Sequence, residues 1–182
     1  MQKHSHHSNF YVITGGPGVG KTTVLNELKK KGYTTVPENA REIIQEQVRN
    51  NGEGLPWKNR ELYTSLMINA AVESFKSFFS TTDTVFFDRG ILDSFCYADM
   101  MSLKISDEMK DIAQNLRYNQ KVFILPPWPE IYTTDDERKQ TWEEALNTFD
   151  IMKKTYSGYG YRLIDVPLES VENRVKFITD HL

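Results

Sequence analysis

The 182-residue chain carries one cysteine, Cys96, so no internal disulfide can form and no cysteine cluster exists to hold zinc. A reducing compartment, the cytoplasm, is the expectation that follows, and Cys96, set among Phe95, Tyr97 and Ala98, reads as a small buried apolar residue. Apolar runs approaching the ~18 residues of a spanning helix are missing, as is a legible signal peptide, so no membrane span is expected. An excess of positive charge is missing too. With 22 Lys and Arg against 25 Asp and Glu, the chain lacks the concentrated cations that phosphate-backbone affinity requires, and no nucleic-acid partner is expected. There is no internal repeat and no low-complexity segment. The histidines His4, His6 and His7 fall in a polar stretch, residues 1–9, that reads as a flexible tail, leaving 10–182 as a single domain.

What the chain does have is a complete G-x-x-x-x-G-K-[ST] phosphate loop, Gly15-Gly16-Pro17-Gly18-Val19-Gly20-Lys21-Thr22-Thr23. The apolar run Phe10–Thr14 precedes it as a strand, and Val24, Leu25 and Leu28 follow at helical spacing. The chemistry requires these residue types because a triphosphate must be wrapped by backbone N–H groups that few β-carbons obstruct. The helix opening near Lys21 turns its unpaired N–H groups toward the β-phosphate, and the lysine ammonium can bridge the β- and γ-phosphates. Thr22 is the expected hydroxyl ligand of Mg²⁺, with ATP as the expected nucleotide.

Downstream, Thr34–Val36, Thr84–Phe87, Lys121–Leu125 and Tyr161–Val166 read as further short strands, alternating with helical segments. Lys29-Lys30-Lys31 suits the negative end of the first helix dipole. A long helix from Pro56 to Phe79 is expected to turn Leu62, Leu66, Ala70, Phe75 and Phe79 to a core, and Ile43, Ile44 and Val48 do the same for the helix before it. Five strands alternating with helices imply an α/β, three-layer, mostly parallel sheet covered on both faces. Prolines 126, 127 and 129 break regular structure, and the polar stretch Thr133–Gln140 has the composition of a mobile lid, giving a lid around 126–141.

In such sheets ligands gather at the carboxyl ends of the strands. Asp88, closing an apolar strand, stands where a Walker-B acid holds Mg²⁺; the plainer reading is a turn or capping aspartate. Arg89 can clamp a phosphate or a substrate oxygen bidentately, or it can form a structural ion pair with Asp88 or Glu38. Glu38, after the second strand, can accept a proton from an attacking hydroxyl or bind an acceptor's hydroxyls; alternatively it favours the start of the next helix. Arg138 and Lys139 in the lid stretch would neutralise charge on a transferring phosphoryl group, or form part of a solvated charge run. Trp57 and Trp128 are candidates for an acceptor pocket or for ordinary packing.

With these residues in view, the sequence resembles the P-loop predicted-ATPase family grouped with AAA-type domains and NadR-like nicotinamide-riboside kinases. The resemblance is carried by Tyr11–Thr23, by Val36-Pro37-Glu38-Asn39-Ala40-Arg41, by Phe86-Phe87-Asp88-Arg89-Gly90 and by Leu125–Tyr132. It implies a nucleoside- or nucleotide-kinase-like P-loop sheet with strand order 2-3-1-4-5. It also implies ATP-Mg²⁺ between loop and lid and an acceptor near Glu38, Arg41 and Arg89. A single acid at the Walker-B end departs from the ring-forming AAA+ machines, and ring assembly is not expected.

The expected function is γ-phosphoryl transfer from ATP to a small nucleoside-like acceptor, or ATP hydrolysis. Lys21, Glu38, Asp88, Arg89 and Arg138 are the expected catalytic set. The alternative is a regulatory module that binds ATP or GTP and hydrolyses it slowly. An N-K-x-D guanine signature is absent from its usual place, which makes GTP the less favoured nucleotide.

Overall fold

The structure, a computed structural model, describes residues 5–131 and 141–182. Five strands form one parallel sheet: β1 (Phe10–Thr14), β2 (Thr34–Val36), β3 (Val85–Asp88), β4 (Lys121–Ile124) and β5 (Arg162–Asp165). Their order is β2-β3-β1-β4-β5, the 2-3-1-4-5 arrangement that the family resemblance implies. Seven helices connect and cover them among the described residues: α1 (Lys21–Lys30), α2 (Ala40–Arg49), α3 (Arg60–Ser77), α4 (Ile91–Met100), α5 (Asp107–Asn115), α6 (Trp142–Gly158) and α7 (Val171–Asp180).

Strand β1 occupies the centre and is buried along its whole length. Successive side chains of a strand point to opposite faces, and the two halves of the core divide accordingly. Phe10 and Val12 pack with Ile68, Val72, Phe75, Phe87, Phe95 and Tyr156 under α3, α4 and α6. Tyr11 and Ile13 pack with Val24, Leu25, Leu28, Val175 and Ile178 under α1 and α7. Fully apolar strands such as Val85-Phe86-Phe87 are the pattern of a sheet covered on both sides. Side chains also mark several helix starts: Asn59, Ser106, Thr141 and Ser170 each accept a hydrogen bond from a first-turn amide.

Three details differ from the sequence expectation. The long helix begins at Arg60, and its buried residues are Tyr63, Thr64, Ile68, Val72 and Phe75, while Leu62 and Phe79 are exposed. Its apolar residues are spread around the axis, so periodicity alone did not fix which stripe meets the sheet. Val48 on α2 is likewise exposed. Within the stretch read as a tail, residues 5–7 make specific contacts. Ser5 and His6 pair in parallel with Leu116 and Arg117, and the His7 ring stacks on Phe10 and Phe79 at centroid separations of 4.4 and 5.0 Å. Of the expected lid, Pro129–Ile131 form a 3₁₀ turn; residues 132–140, and with them Arg138 and Lys139, lie outside the described residues.

Candidate active site

The register of the sheet assembles the site at one end. Ile13 lies opposite Asp88, and Thr14 opposite Ile124, so the chain leaves β1 between the ends of two neighbouring strands and turns immediately into the phosphate loop. Gly15, Gly18 and Gly20 have φ of 143°, 78° and 84°, a region closed to most side chains. At Gly15 a β-carbon would also stand 2.6 Å from the Leu125 carbonyl oxygen, so the loop hugs the strand beside it and only glycine fits.

Lys21, the first residue of α1, folds its ammonium back over the loop. Nζ donates to the carbonyls of Gly15 and Gly16 at 2.9 and 3.0 Å. Burial, helped by the neighbouring Arg89 guanidinium, pulls its pKa down to about 7, with Asp88, Glu38 and Asp93 opposing. The ammonium is therefore held by two neutral acceptors in a desolvated place, where the oxygens of a phosphate would hold it better. Thr22 and Thr23 are exposed on the first turn of the same helix.

Asp88 ends β3. Its Oδ1 is buried and has no hydrogen-bond partner, and burial raises its pKa against the pull of Lys21 and Arg89. An orphaned carboxylate oxygen beside a phosphate loop is an available ligand for a cation or its water shell. Arg89 follows with a left-handed φ of 70°, strain of the kind that collects at functional sites. Its own N–H continues the sheet ladder to the Ile13 carbonyl at 3.0 Å, so the twist aims the side chain back across the loop. Nη1 donates to the Gly15 carbonyl at 3.1 Å and to Asp93 Oδ1 at 3.2 Å. Nε lies 3.1 Å from Glu38 Oε1, close enough for an ion pair although its N–H is not aimed at the oxygen. Of the two partners that the sequence suggested for Arg89, Glu38 is the one it meets.

Asp93, on the first turn of α4, was not singled out from the sequence. It is the buried hub of the site: Oδ1 accepts from Thr14 at 2.5 Å and from Arg89, and Oδ2 accepts from the Gly90 N–H at 2.8 Å and the Tyr156 hydroxyl at 2.6 Å. Four donors for one carboxylate offset the cost of burying it. The signal was present in the sequence as a carboxylate inside the apolar run Ile91-Leu92-Asp93-Ser94-Phe95, since an acidic residue is almost never fully buried unless paired.

A cavity of about 190 Å³ opens beside the loop, bounded by Pro17, Glu38, Arg89, Asp93, Tyr63, Tyr97 and three methionines, Met67, Met100 and Met152. Tyr63 and Tyr97 meet edge to face at 5.6 Å. Burial, with Glu38 nearby, pushes the Tyr63 hydroxyl up to about 12, so it stays protonated and can donate. On the other side of Glu38 a narrower crevice reaches Asp88 and Asn39. Arg41 is exposed on the first turn of α2 and does not line the cavity. Neither tryptophan lines it: Trp57 is 66% exposed, and Trp128 lies over the guanidinium of Arg174, 5.6 Å from its ring centroid. Cys96 is fully buried, its thiol pushed up to about 12 by burial, and chemically quiet.

The arrangement can hold a polyphosphate at the loop and a second molecule in the adjoining cavity, with Glu38 and Arg89 between them. Comparison with known structures finds a similar fold in several solved proteins. A deoxyadenosine kinase from M. mycoides superposes with a TM-score of 0.62 at 20% identity, covering 94% of this chain and 97% of the other. Thymidylate kinase from Ehrlichia chaffeensis gives 0.61 at 19%, covering 96% and 97%. A NadR protein in complex with NR gives 0.67 at 18%, covering 95% of this chain and 49% of that longer one. At these identities the likeness is one of fold. No curated protein matches the sequence. A family described as AAA domain matches residues 10–174, and on a match of that length the chain belongs to the AAA-domain family.

Proposed function

We propose that the protein is an ATP-dependent phosphotransferase that moves the γ-phosphoryl group onto a hydroxyl of a small, uncharged, nucleoside-like acceptor. The observation that carries this reading is the continuity of the two compartments: the 190 Å³ cavity begins at Pro17 of the phosphate loop and ends at Tyr63, Tyr97 and the methionines. A site for hydrolysis alone needs room only for a water.

In this reading the N–H groups of Gly16 and of Gly18 to Thr23 wrap the phosphates, and the Lys21 ammonium exchanges its two carbonyl partners for phosphate oxygens. Thr22 and the orphaned Oδ1 of Asp88 are the residues that would hold Mg²⁺, their oxygen chemistry fitting a hard cation. When bound, the ion would screen the negative charge of the β- and γ-phosphates. Arg89, fixed on three sides by Gly15, Asp93 and Glu38, presents its charge where the transferring group passes without having to reorganise. Glu38, whose side chain is one-third exposed, faces the cavity and accepts the proton of the attacking hydroxyl. Arg138, which lies outside the described residues, would add a further charge.

The lining argues for the class of acceptor. Two carboxylates, Glu38 and Asp93, accompany a single guanidinium that is already paired with both. Among the described residues, no cation of the cavity is left to receive an acceptor that brings its own phosphate. Aromatic edges and polarizable thioethers suit a flat heterocycle.

The test is ATP consumption with Mg²⁺ in the presence and absence of a panel of nucleosides. Turnover stimulated at least ~100-fold by one of them supports transfer. Slow hydrolysis that ignores every acceptor supports instead a nucleotide-dependent regulatory module.

A further inference from the structure

On α7, outside the catalytic set described so far, Arg174 is only 2% exposed. It belongs to the apolar stripe formed with Val171, Val175 and Ile178. A buried guanidinium normally sits against a carboxylate, yet no acidic side chain lies within ion-pair distance of this one among the described residues. Instead Nη2 donates to the backbone carbonyl of Val19 at 2.8 Å, 155 residues away in the chain. Nε is buried without a partner, and the group is covered by the ring of Trp128. Burial lowers its pKa, in keeping with a cation that no acidic side chain among the described residues neutralises.

The bonded carbonyl is the outer half of the Val19–Gly20 peptide. Every peptide bond described is trans, and in a planar trans peptide C=O and N–H point in opposite directions. A donor that holds the Val19 oxygen on the α7 side therefore turns the Gly20 N–H the other way, away from α7, where a nucleotide held by the loop would present its phosphates. A charge-assisted bond to a carbonyl also polarises its peptide, strengthening the opposite N–H as a donor. The fit is close: a β-carbon on Gly20 would stand 2.8 Å from Arg174 Nη1. The glycine thus serves the left-handed turn and the approach of the arginine together.

We propose that Arg174 is a positioning residue for nucleotide binding: from behind the phosphate loop it fixes the Val19–Gly20 peptide, making the Gly20 N–H an oriented and polarised donor to the β-phosphate region, and its charge adds to the field that receives the polyphosphate. The proposal rests on the reading of the loop as a nucleotide site.

The test compares the wild type with Arg174→Met, which keeps bulk, and Arg174→Lys, which keeps charge without the planar fork. Calorimetry with Mg-ATP, Mg-ADP and adenosine is combined with the ¹H–¹⁵N shift of the Gly20 amide. Arg174→Met is expected to weaken ATP and ADP together by about tenfold or more while leaving adenosine within about twofold. Arg174→Lys is expected to recover part of that loss, and the Gly20 amide proton should move upfield in Arg174→Met without nucleotide. Unchanged ATP affinity in either variant overturns the proposal. So does an equal loss for ATP and adenosine, which would mark a purely structural role. Should Arg174→Met fail to fold, Arg174→Lys decides alone, by a loss of at least about threefold for ATP with adenosine unaffected. A wild type that binds no nucleotide would defeat the nucleotide-site reading and this proposal with it, whereas a wild type that binds and variants that bind equally well defeat this proposal only.

Discussion

Tyr156 on α6 donates its hydroxyl to Asp93 on α4 across 2.6 Å, and Asp93 in turn receives Thr14 at the end of β1 and Arg89 beyond β3. One buried carboxylate thus ties two helices to the end of the central strand and to the residue that crosses the phosphate loop. The burial of Tyr156 and the closeness of Asp93 raise the hydroxyl's pKa well above its ordinary value, so it remains a donor across the working pH range.

Replacing Asp93 with Asn puts an NH₂ group among N–H and O–H donors. The change should destabilise the protein by ~3 kcal/mol, within the range for breaking a buried charged network, measured as a lower urea midpoint at unchanged m-value. Tyr156→Phe removes one donor and should cost ~1 kcal/mol. Because the two side chains share a bond, the double variant should fall short of the sum.

Lys21 ties nucleotide affinity to pH. Its pKa lies at about 7, and phosphate oxygens would raise it. A group whose pKa is raised by binding takes up protons, so affinity is fullest below pH 7 and declines as pH rises from 7 toward the bound value. Calorimetry at pH 8 in buffers of different ionisation enthalpy should show uptake of close to one proton per ATP bound, and Lys21→Met should remove the uptake along with most of the affinity.

Glu38→Gln keeps the shape of the side chain and removes its basicity. With a responsive acceptor, kcat should fall by ~10²- to 10⁴-fold with a much smaller change in KM. An unchanged kcat would remove Glu38 from the role of base.

Asp88 carries an orphaned buried oxygen and a raised pKa, so its charge opposes folding at neutral pH. The sign follows: the penalty is present above the raised pKa and relieved as pH falls through it. Asp88→Asn should therefore raise the urea midpoint at pH 7, an advantage that shrinks toward acid pH, while the Mg²⁺ concentration for half-maximal activity rises by about tenfold or more. Titration of activity against Mg²⁺ alongside denaturation checks both halves.

Much of this site could be read from the chain because its parts are local. The phosphate loop is one contiguous motif, and Glu38, Asp88 and Arg89 each stand at or just past the carboxyl end of a short β-rich run. Asp93, Tyr156 and Arg174 were not legible in the same way, since each lies on a helix and acquires its partner only when distant elements pack. Their trace in the sequence was polarity within an apolar stripe, which shows that a partner must exist without naming it. The same limit applies to α3, whose apolar residues surround the axis: packing of Ile68, Val72 and Phe75 into the core with Phe10 and Phe87, and of Tyr63 against Tyr97 of α4, selects the buried face and leaves Leu62 in solvent. His7 reads as part of a polar tail until Phe10, Phe75 and Phe79 converge on it.

The central claim is that the loop from Gly15 to Thr23 grips a nucleoside triphosphate. Isothermal titration of the purified protein with Mg-ATP tests it most directly. The account predicts saturable binding at one site per chain, with a dissociation constant of roughly 1 μM to 1 mM, and the loss of most of that affinity in Lys21→Met. Absence of binding by a folded wild type, or equal binding by Lys21→Met, would contradict it.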